Sequence, residues 1–198
     1  MRALLVGLVI LVVIVGLVVW GVGINNQLVG LQQNVNEKSA QVQNVYQRRA
    51  DLIPNLVETV KGFATQERTV LTEVTEARSK ASSIQLTPET LNDPKAMERF
   101  QAAQGQLSGA LSRLLVVVEK YPELKANQNF LNLQSQLEGT ENGIANERRR
   151  FNETAQTFNT KRNSFPTNIV AGFFGGKFNE KPYFKAAEGS DKAPPVKF

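Results

Sequence analysis

Hydrophobic residues fill the start of the chain without a break. The run from Ala3 to Ile24 contains no charged and no amide side chain. Its length of about 33 Å, at about 1.5 Å per helical residue, is enough to cross a hydrocarbon core of about 30 Å. The run exceeds the hydrophobic part of a cleaved signal peptide, and Trp20 suits the headgroup region. The sequence therefore predicts an uncleaved transmembrane anchor over residues 1–25.

Behind this run the apolar residues recur at steps of three and four, which is the period of a helix with one apolar stripe. The pattern continues to about Ala81. Pro54 lies inside it and predicts a kink or a break, because proline removes one backbone donor and clashes with the preceding turn. The half of the stripe before this proline consists of Leu28, Leu31, Val35, Val42 and Val45.

Two further helices follow. Asp93 and Pro94 are typical of an N-cap and a first helical residue, and Pro122 is expected to end this second helix. A third helix runs from about Phe130 to Pro166. Strand-like alternation is missing, so the predicted fold is all-α: a transmembrane helix, an antiparallel bundle of three to four long helices over 26–166, and an irregular tail over 167–198. The predicted core contains Leu56, Phe63, Leu111, Leu114, Leu137 and Ile144.

The predicted helix lengths raise a packing problem for residues 26–53. The second helix reaches back only to the level of Pro54, so this part of the stripe has no predicted partner within one chain. Two solutions remain open: residues 26–53 fold back as a fourth helix, or they form a stalk that packs against copies of itself. An apolar stripe left in water is costly, so we expect a homo-oligomer in the second case.

Composition narrows the chemistry. The chain has no cysteine and no histidine, which excludes thiol nucleophiles, Ser-His-Asp triads and Cys/His zinc sites. The net charge is +5, but residues 25–160 carry 15 basic and 15 acidic side chains, so nucleic acid is not an expected partner. Arg2 precedes the apolar run, and the positive-inside rule then predicts a periplasmic or other extracytoplasmic body.

Several segments resemble one family of bacterial membrane proteins, the LemA family. The longest is residues 48–63, RRADLIPNLVETVKGF, and the others are YPELKAN at 121–127, LEGTEN at 137–142, Phe165-Pro166 and PYF at 182–184. The family often has a tryptophan and an Ile-Asp-Val segment where this chain has residues 41–45. The resemblance implies a membrane helix followed by a long-helix bundle, and no established biochemical activity.

Two groups of residues are candidate interaction sites. Arg48, Arg49 and Asp51 adjoin Pro54, and they form either a binding cluster or a local ion-pair set that packs against the Tyr121-Pro122 corner; the second interpretation is favoured. In the tail, residues 169–178 form an interfacial anchor or a docking peptide, or else Phe173 and Phe174 cap an open end of the bundle. Carboxylates that could hold a metal are interpreted as solvated helix faces: Glu67, Glu73, Glu76, Glu138, Glu141 and Glu147.

The sequence therefore predicts no catalytic, cofactor-binding or metal-binding residues. The leading hypothesis is a single-pass, membrane-anchored helical scaffold of the bacterial envelope that self-associates, with membrane lipid as its other partner. The alternative hypothesis is an adaptor that presents its bundle or tail to another envelope membrane protein, such as a protease.

Overall fold

A computed structural model describes residues 1–185, and this part of the chain is all-α, as predicted, with no strand. The predicted tail residues 186–198 lie outside the described residues. Six helices follow one another, with 3₁₀ turns at Thr90–Asn92 and Gly175–Phe178: α1 Arg2–Phe63, α2 Arg68–Ser82, α3 Pro94–Val118, α4 Pro122–Lys125, α5 Gln128–Asn163 and α6 Thr167–Phe173.

The first helix passes through Pro54 without a break, so residues 26–53 do not fold back as a separate helix. Proline at this position deprives the Ala50 carbonyl of its usual helical donor. Arg78 of α2 replaces that donor, because its Nε donates a hydrogen bond to the Ala50 oxygen at 2.7 Å. α1 ends instead at Phe63, and a turn at 64–67 leads into α2. The apolar residues keep the same helical period before and after that turn, so the sequence pattern does not reveal the turn.

The chain divides into two compact units, and α1 and α5 contribute to both. Among the described residues, unit 1 contains 1–37 and 153–181, and unit 2 contains 38–152 and 182–185. In unit 2 the middle of α1 packs with α2, α3 and the first half of α5 around one core that includes Leu56, Val74, Leu114 and Phe130.

Most of the predicted core residues are buried: Leu56, Leu111, Leu114, Leu137 and Ile144. Phe63 is the exception, because its side chain is 42% exposed. It is the last residue of α1, and the apolar position that the core needs at this corner is taken by Ala64. The predicted cap of α3 is present, since the Lys95 amide donates to Asp93 Oδ1 at 2.9 Å.

Unit 1 covers the first half of the stripe. Leu28 and Val35 are 0% exposed, and the later segment of the same unit buries Ala155, Phe158 and Phe178. Leu31 of the same unit is half-buried. In unit 2, Val42 is fully buried and Val45 is half-buried. The expectation that this stripe lacks a partner within one chain is therefore wrong. Its partners come from residues more than 100 positions later, which the comparison of helix lengths did not consider.

The tail after Pro166 was expected to be irregular, but its first part is helical. α6 covers Thr167–Phe173 and is followed by the 3₁₀ turn. Thr167 and Ala171, one helical turn apart, are both buried and hold this short helix to unit 1. Tertiary contact thus stabilises a helix whose neighbouring glycines argue against it.

Candidate functional site

Arg49 of α1 is the most deeply buried charged residue of unit 2, with 1% of its surface exposed. Its NH1 group donates to Glu141 Oε1 at 2.7 Å and to Ser108 Oγ at 2.9 Å. Its NH2 group donates to Gln104 Oε1 at 2.5 Å. One guanidinium thereby joins α1 to α3 and α5. Its Nε atom is buried and has no hydrogen-bond partner among the described residues.

A cleft of about 700 Å³ opens beside Arg49, and its lining is charged and aromatic. Tyr46 is 5% exposed and packs edge-on against Phe100, with ring centroids 5.1 Å apart. Burial raises the pKa of the Tyr46 hydroxyl, although the nearby Arg148 and Arg49 charges oppose that rise. The tyrosine therefore stays protonated at neutral pH and contributes a polar but uncharged wall.

The segment Pro182–Lys185, here called the C-terminal strap, closes one side of this cleft. Phe184 is buried between Phe100 and Phe151, at centroid distances of 6.4 and 5.2 Å. The Arg148 guanidinium lies 4.9 Å from the centre of the Phe184 ring. An aromatic ring held by two others and a cation gives a well-defined seat for this side chain.

Side-chain amides hold the backbone of the strap. Asn152 of α5 accepts from the Phe184 amide at 2.8 Å and donates to the Phe184 carbonyl at 2.9 Å. Gln101 of α3 accepts from the Lys185 amide at 2.9 Å, and Arg148 donates to the Lys185 carbonyl at 2.6 Å. These four hydrogen bonds involve only backbone atoms of the strap, so they do not depend on which side chains the strap carries. The pocket around the Phe184 ring, in contrast, favours an aromatic side chain.

The residues singled out around Pro54 do not form one site. Arg48, Asp51 and Pro54 are exposed, and Asp51 accepts a hydrogen bond from Gln47 at 2.7 Å. Only Arg49 enters the cleft. Arg49 pairs with Glu141 of α5 at 2.7 Å, and Tyr121 donates to Glu67 at 3.1 Å. The local ion-pair set against the Tyr121 corner stays a prediction for Arg48 and Asp51.

Sequence reasoning missed the cleft and the strap. Gln101, Asn152 and Phe184 lie in three distant segments, and none of them carries a recognised chemical motif. The available signal was the Pro-Tyr-Phe match at 182–184, which coincides with the strap. That match indicated a family feature without indicating what the segment contacts.

In unit 1 the candidate residues Phe173 and Phe174 are 86% and 43% exposed. Nearby, Asn159 accepts from the Lys181 amide at 2.8 Å and donates to the Lys181 carbonyl at 2.9 Å. The Lys181 ammonium is 5.4 Å from the centre of the Phe158 ring. Burial lowers the pKa of Lys181. Phe173 and Phe174 both keep a large exposed fraction, so neither ring is buried in the core of unit 1.

The acidic residues considered as metal ligands lie apart. Across residues 1–185 no three carboxylates come together in a group that could hold a metal ion. Glu73 pairs with Arg113 at 3.1 Å, and Glu147 pairs with Arg150 at 2.7 Å. Glu141 pairs with Arg49, whereas Glu67 accepts a hydrogen bond from Tyr121 and Glu138 accepts one from Gln134.

These features define the class of protein: an all-helical chain with one N-terminal helix that is apolar and long enough to be a membrane anchor. The chain belongs to the LemA family, whose sequence pattern matches residues 38–198. The family match confirms the resemblance drawn from the sequence. It begins after the apolar run and covers the residues that form unit 2 and the later part of unit 1.

Curated relatives agree with this assignment. The chain is 26% identical over 177 residues to the magnetosome protein MamQ of Magnetospirillum gryphiswaldense, covering 79% of this chain and 65% of that protein. It is 28% identical over 150 residues to protein LemA of Metamycoplasma hominis, covering 76% of this chain and 64% of that protein. The matches thus span just under two thirds of these relatives. Together they indicate a membrane-associated helical protein.

Proposed function

We propose that the protein is a non-catalytic, membrane-anchored adaptor that presents its helical bundle to another membrane protein. The observation that carries this proposal is the continuity of α1, which runs from Arg2 to Phe63 without interruption. One helix thereby supplies both the apolar run and a central element of the unit 2 core.

The adaptor needs a surface for its partner, and three exposed apolar residues lie at one end of unit 2. Phe63 ends α1, Val116 is in the last turn of α3 and Leu131 is in the first turn of α5, with exposures of 42%, 67% and 42%. The hydrogen bond between Tyr121 and Glu67 joins the turns at this end. We name Phe63, Val116 and Leu131 the end cluster. We infer that these three exposed apolar side chains are the contact surface for the partner.

A photo-crosslinking amino acid at position 116 tests the adaptor in native membranes. We expect a defined crosslink to one protein of a different mass, because the end cluster is the proposed contact. The matched control is position 112, since Ser112 is also exposed and lies one turn earlier on α3. Equal crosslinking from both positions, or none from position 116, would contradict the proposal.

Self-association is the second candidate, and the same end cluster is what supports it. The stripe first assigned to this role is buried within the chain, so copies would meet through other residues. A crosslink from position 116 at twice the mass of the chain supports the scaffold instead of the adaptor. The particle mass in mild detergent gives an independent measurement, and a concentration-independent single copy would exclude the scaffold.

The orientation belongs to the same proposal, with the body of the protein on the extracytoplasmic side. It is supported by Arg2 before the apolar run and by the uncharged residues that follow it. The chain has no cysteine, so a single Gln156→Cys variant at an exposed position reports the side directly. We expect a membrane-impermeant thiol reagent to label it in intact spheroplasts. Labelling only after lysis would reverse the orientation.

A further inference from the structure

α6 has the inverse of the usual surface-helix pattern. Its small residues, Thr167 and Ala171, face unit 1 and are 2% and 3% exposed. The large apolar side chains face outward: Phe165 before the helix is 80% exposed, Ile169 is 62% exposed and Phe173 is 86% exposed. Ile169 and Phe173 are one turn apart and share one face of α6, while Phe165 lies in the turn just before the helix. An apolar face turned outward is unfavourable in water, so this helix suits another environment.

The position of this face in unit 1 identifies that environment. Lys177 follows α6 directly, and its Nζ donates to Asn25 Oδ1 at 3.1 Å. Asn25 is the first polar residue after the apolar run. The Lys177 ammonium also lies 5.3 Å from the centre of the Phe174 ring, which is 5.7 Å from the Phe173 ring. A short series of contacts thus connects the outward face to the point where the apolar run ends.

We propose that Phe165, Ile169, Phe173 and Phe174, here called the lipid face, insert into the headgroup boundary of the membrane that holds the apolar run. Aromatic side chains favour this boundary, and Trp20 marks its depth on α1, about one turn before Asn25. Lys177 then lies at the level of the anionic headgroups, which attract cations. The inference rests on the anchored state in the proposed function, and on no partner protein.

Membrane contact explains the composition of this segment better than a capping role does. A cap would direct the phenylalanines into unit 1, as Phe178 is directed, with 0% exposed. A short helix with an outward apolar face instead adds a second contact with the bilayer. Two contacts with the bilayer restrict the rotation of unit 1 about the membrane normal, which one spanning helix alone leaves free.

The test places a polarity-sensitive fluorophore at single cysteines in the full chain, reconstituted into vesicles of phosphatidylcholine and phosphatidylglycerol. The positions are Phe173→Cys in the lipid face, Gln156→Cys as an exposed control in unit 1 and Val12→Cys in the apolar run. Each vesicle preparation is measured with lipids that carry a spin label on the acyl chain, and with a water-soluble quencher. Circular dichroism checks that every variant keeps its helix content.

We expect blue-shifted emission at position 173 that shallow spin-labelled lipids quench, and emission at position 156 that only the water-soluble reagent quenches. Emission at position 173 that behaves like position 156 overturns the lipid face. A blue shift at position 173 without lipid quenching also overturns it, and indicates a protein surface or a second copy. Deep lipid quenching at position 12 in either case shows that the anchor is inserted, so failure of the lipid face remains distinct from failure of anchoring.

Discussion

The two units use the same apolar stripe of α1 in different ways. In unit 2 the stripe residues Leu56 and Val60 pack in a core with α2 and α3, the next helices along the chain. In unit 1 the stripe residues Leu28 and Val35 are equally buried, but the buried residues around them belong to the end of α5 and to the segment after it. The apolar pattern of α1 is the same in both units, but in unit 1 the stripe is much farther along the sequence from the residues that pack with it.

This difference shows that an apolar stripe on a helix predicts that the stripe is buried, but does not predict which segment of the chain packs against it. The stripe of unit 1 was interpreted as a surface between copies, because neighbouring helices were too short to reach it. A more distant part of the chain covers it instead. Exposed apolar surface outside the anchor lies elsewhere, in the end cluster of unit 2 and the lipid face of unit 1.

Val35→Glu is the strongest way to break the comparison, because it places a carboxylate at a position with 0% exposure in unit 1. We expect a loss of about 4 kcal/mol or more, since a buried charge without a partner is very unfavourable. Hydrogen exchange should then rise in residues 153–163. Gln33→Glu is the exposed control. Unchanged exchange together with a smaller particle mass would restore the interpretation of the stripe as a contact between copies.

Phe158→Ala tests the packing of unit 1 at a residue of α5. This ring is 0% exposed, so we expect a loss of about 3–5 kcal/mol in the free energy of unfolding, measured with urea in detergent. Phe173→Ala should change that free energy by less than about 0.5 kcal/mol, because its side chain is 86% exposed. Similar losses for the two variants would mean that Phe173 packs inside unit 1.

Arg49→Met tests how much the buried arginine contributes to the stability of unit 2. The change leaves the Gln104 side chain without its charged donor, and a buried acceptor without a partner costs about 1–3 kcal/mol. Glu141 loses less, because its side chain is 46% exposed and water can solvate it. Urea unfolding of Arg48→Met provides the control, since Arg48 is exposed. Equal stability of the two variants would remove Arg49 as the element that joins α1, α3 and α5.

Arg78→Met has the smallest expected effect, about 1–2 kcal/mol, from the loss of one hydrogen bond to the Ala50 carbonyl. The informative measurement is a double-mutant cycle with Pro54→Ala. Alanine restores the backbone donor that proline lacks, so the effect of Arg78→Met should shrink in that background. An unchanged effect would show that Arg78 stabilises α2 in some other way.

Much of the fold could be predicted from the sequence because its signals are local. The apolar run, the helical period, the Asp93-Pro94 cap and most of the core residues each depend on neighbours in the chain. The end of α1 at Phe63 could not be predicted, since the period continues into α2. The helix α6 was also missed, because its stability comes from the burial of Thr167 and Ala171 and not from its own propensity.

The geometry of the candidate sites depends more than the helices do on contacts between residues that are far apart in the sequence. Arg48, Arg49 and Asp51 were named together, but only Arg49 is buried, and its partners Glu141 and Gln104 lie on other helices and could not be named from the sequence. The sequence left Phe173 and Phe174 as part of an interfacial anchor or docking peptide, or as a cap, and their exposed fractions became known only from the structure. The strap around Phe184 was not foreseen, because an amide pair that binds backbone has no sequence signature of its own.

The sequence by itself determined that the chain is helical, that it begins with an anchor-length apolar helix, and that it belongs to the LemA family. These properties follow from the period of the hydrophobic residues and from short segments that match the family, and both are local features of the sequence. Only the tertiary structure decided which segments cover the stripe, how Pro54 is accommodated and which apolar side chains remain exposed. Those outcomes depend on residues brought together across long sequence separations, where burial and hydrogen bonding favour one pairing that no local pattern specifies.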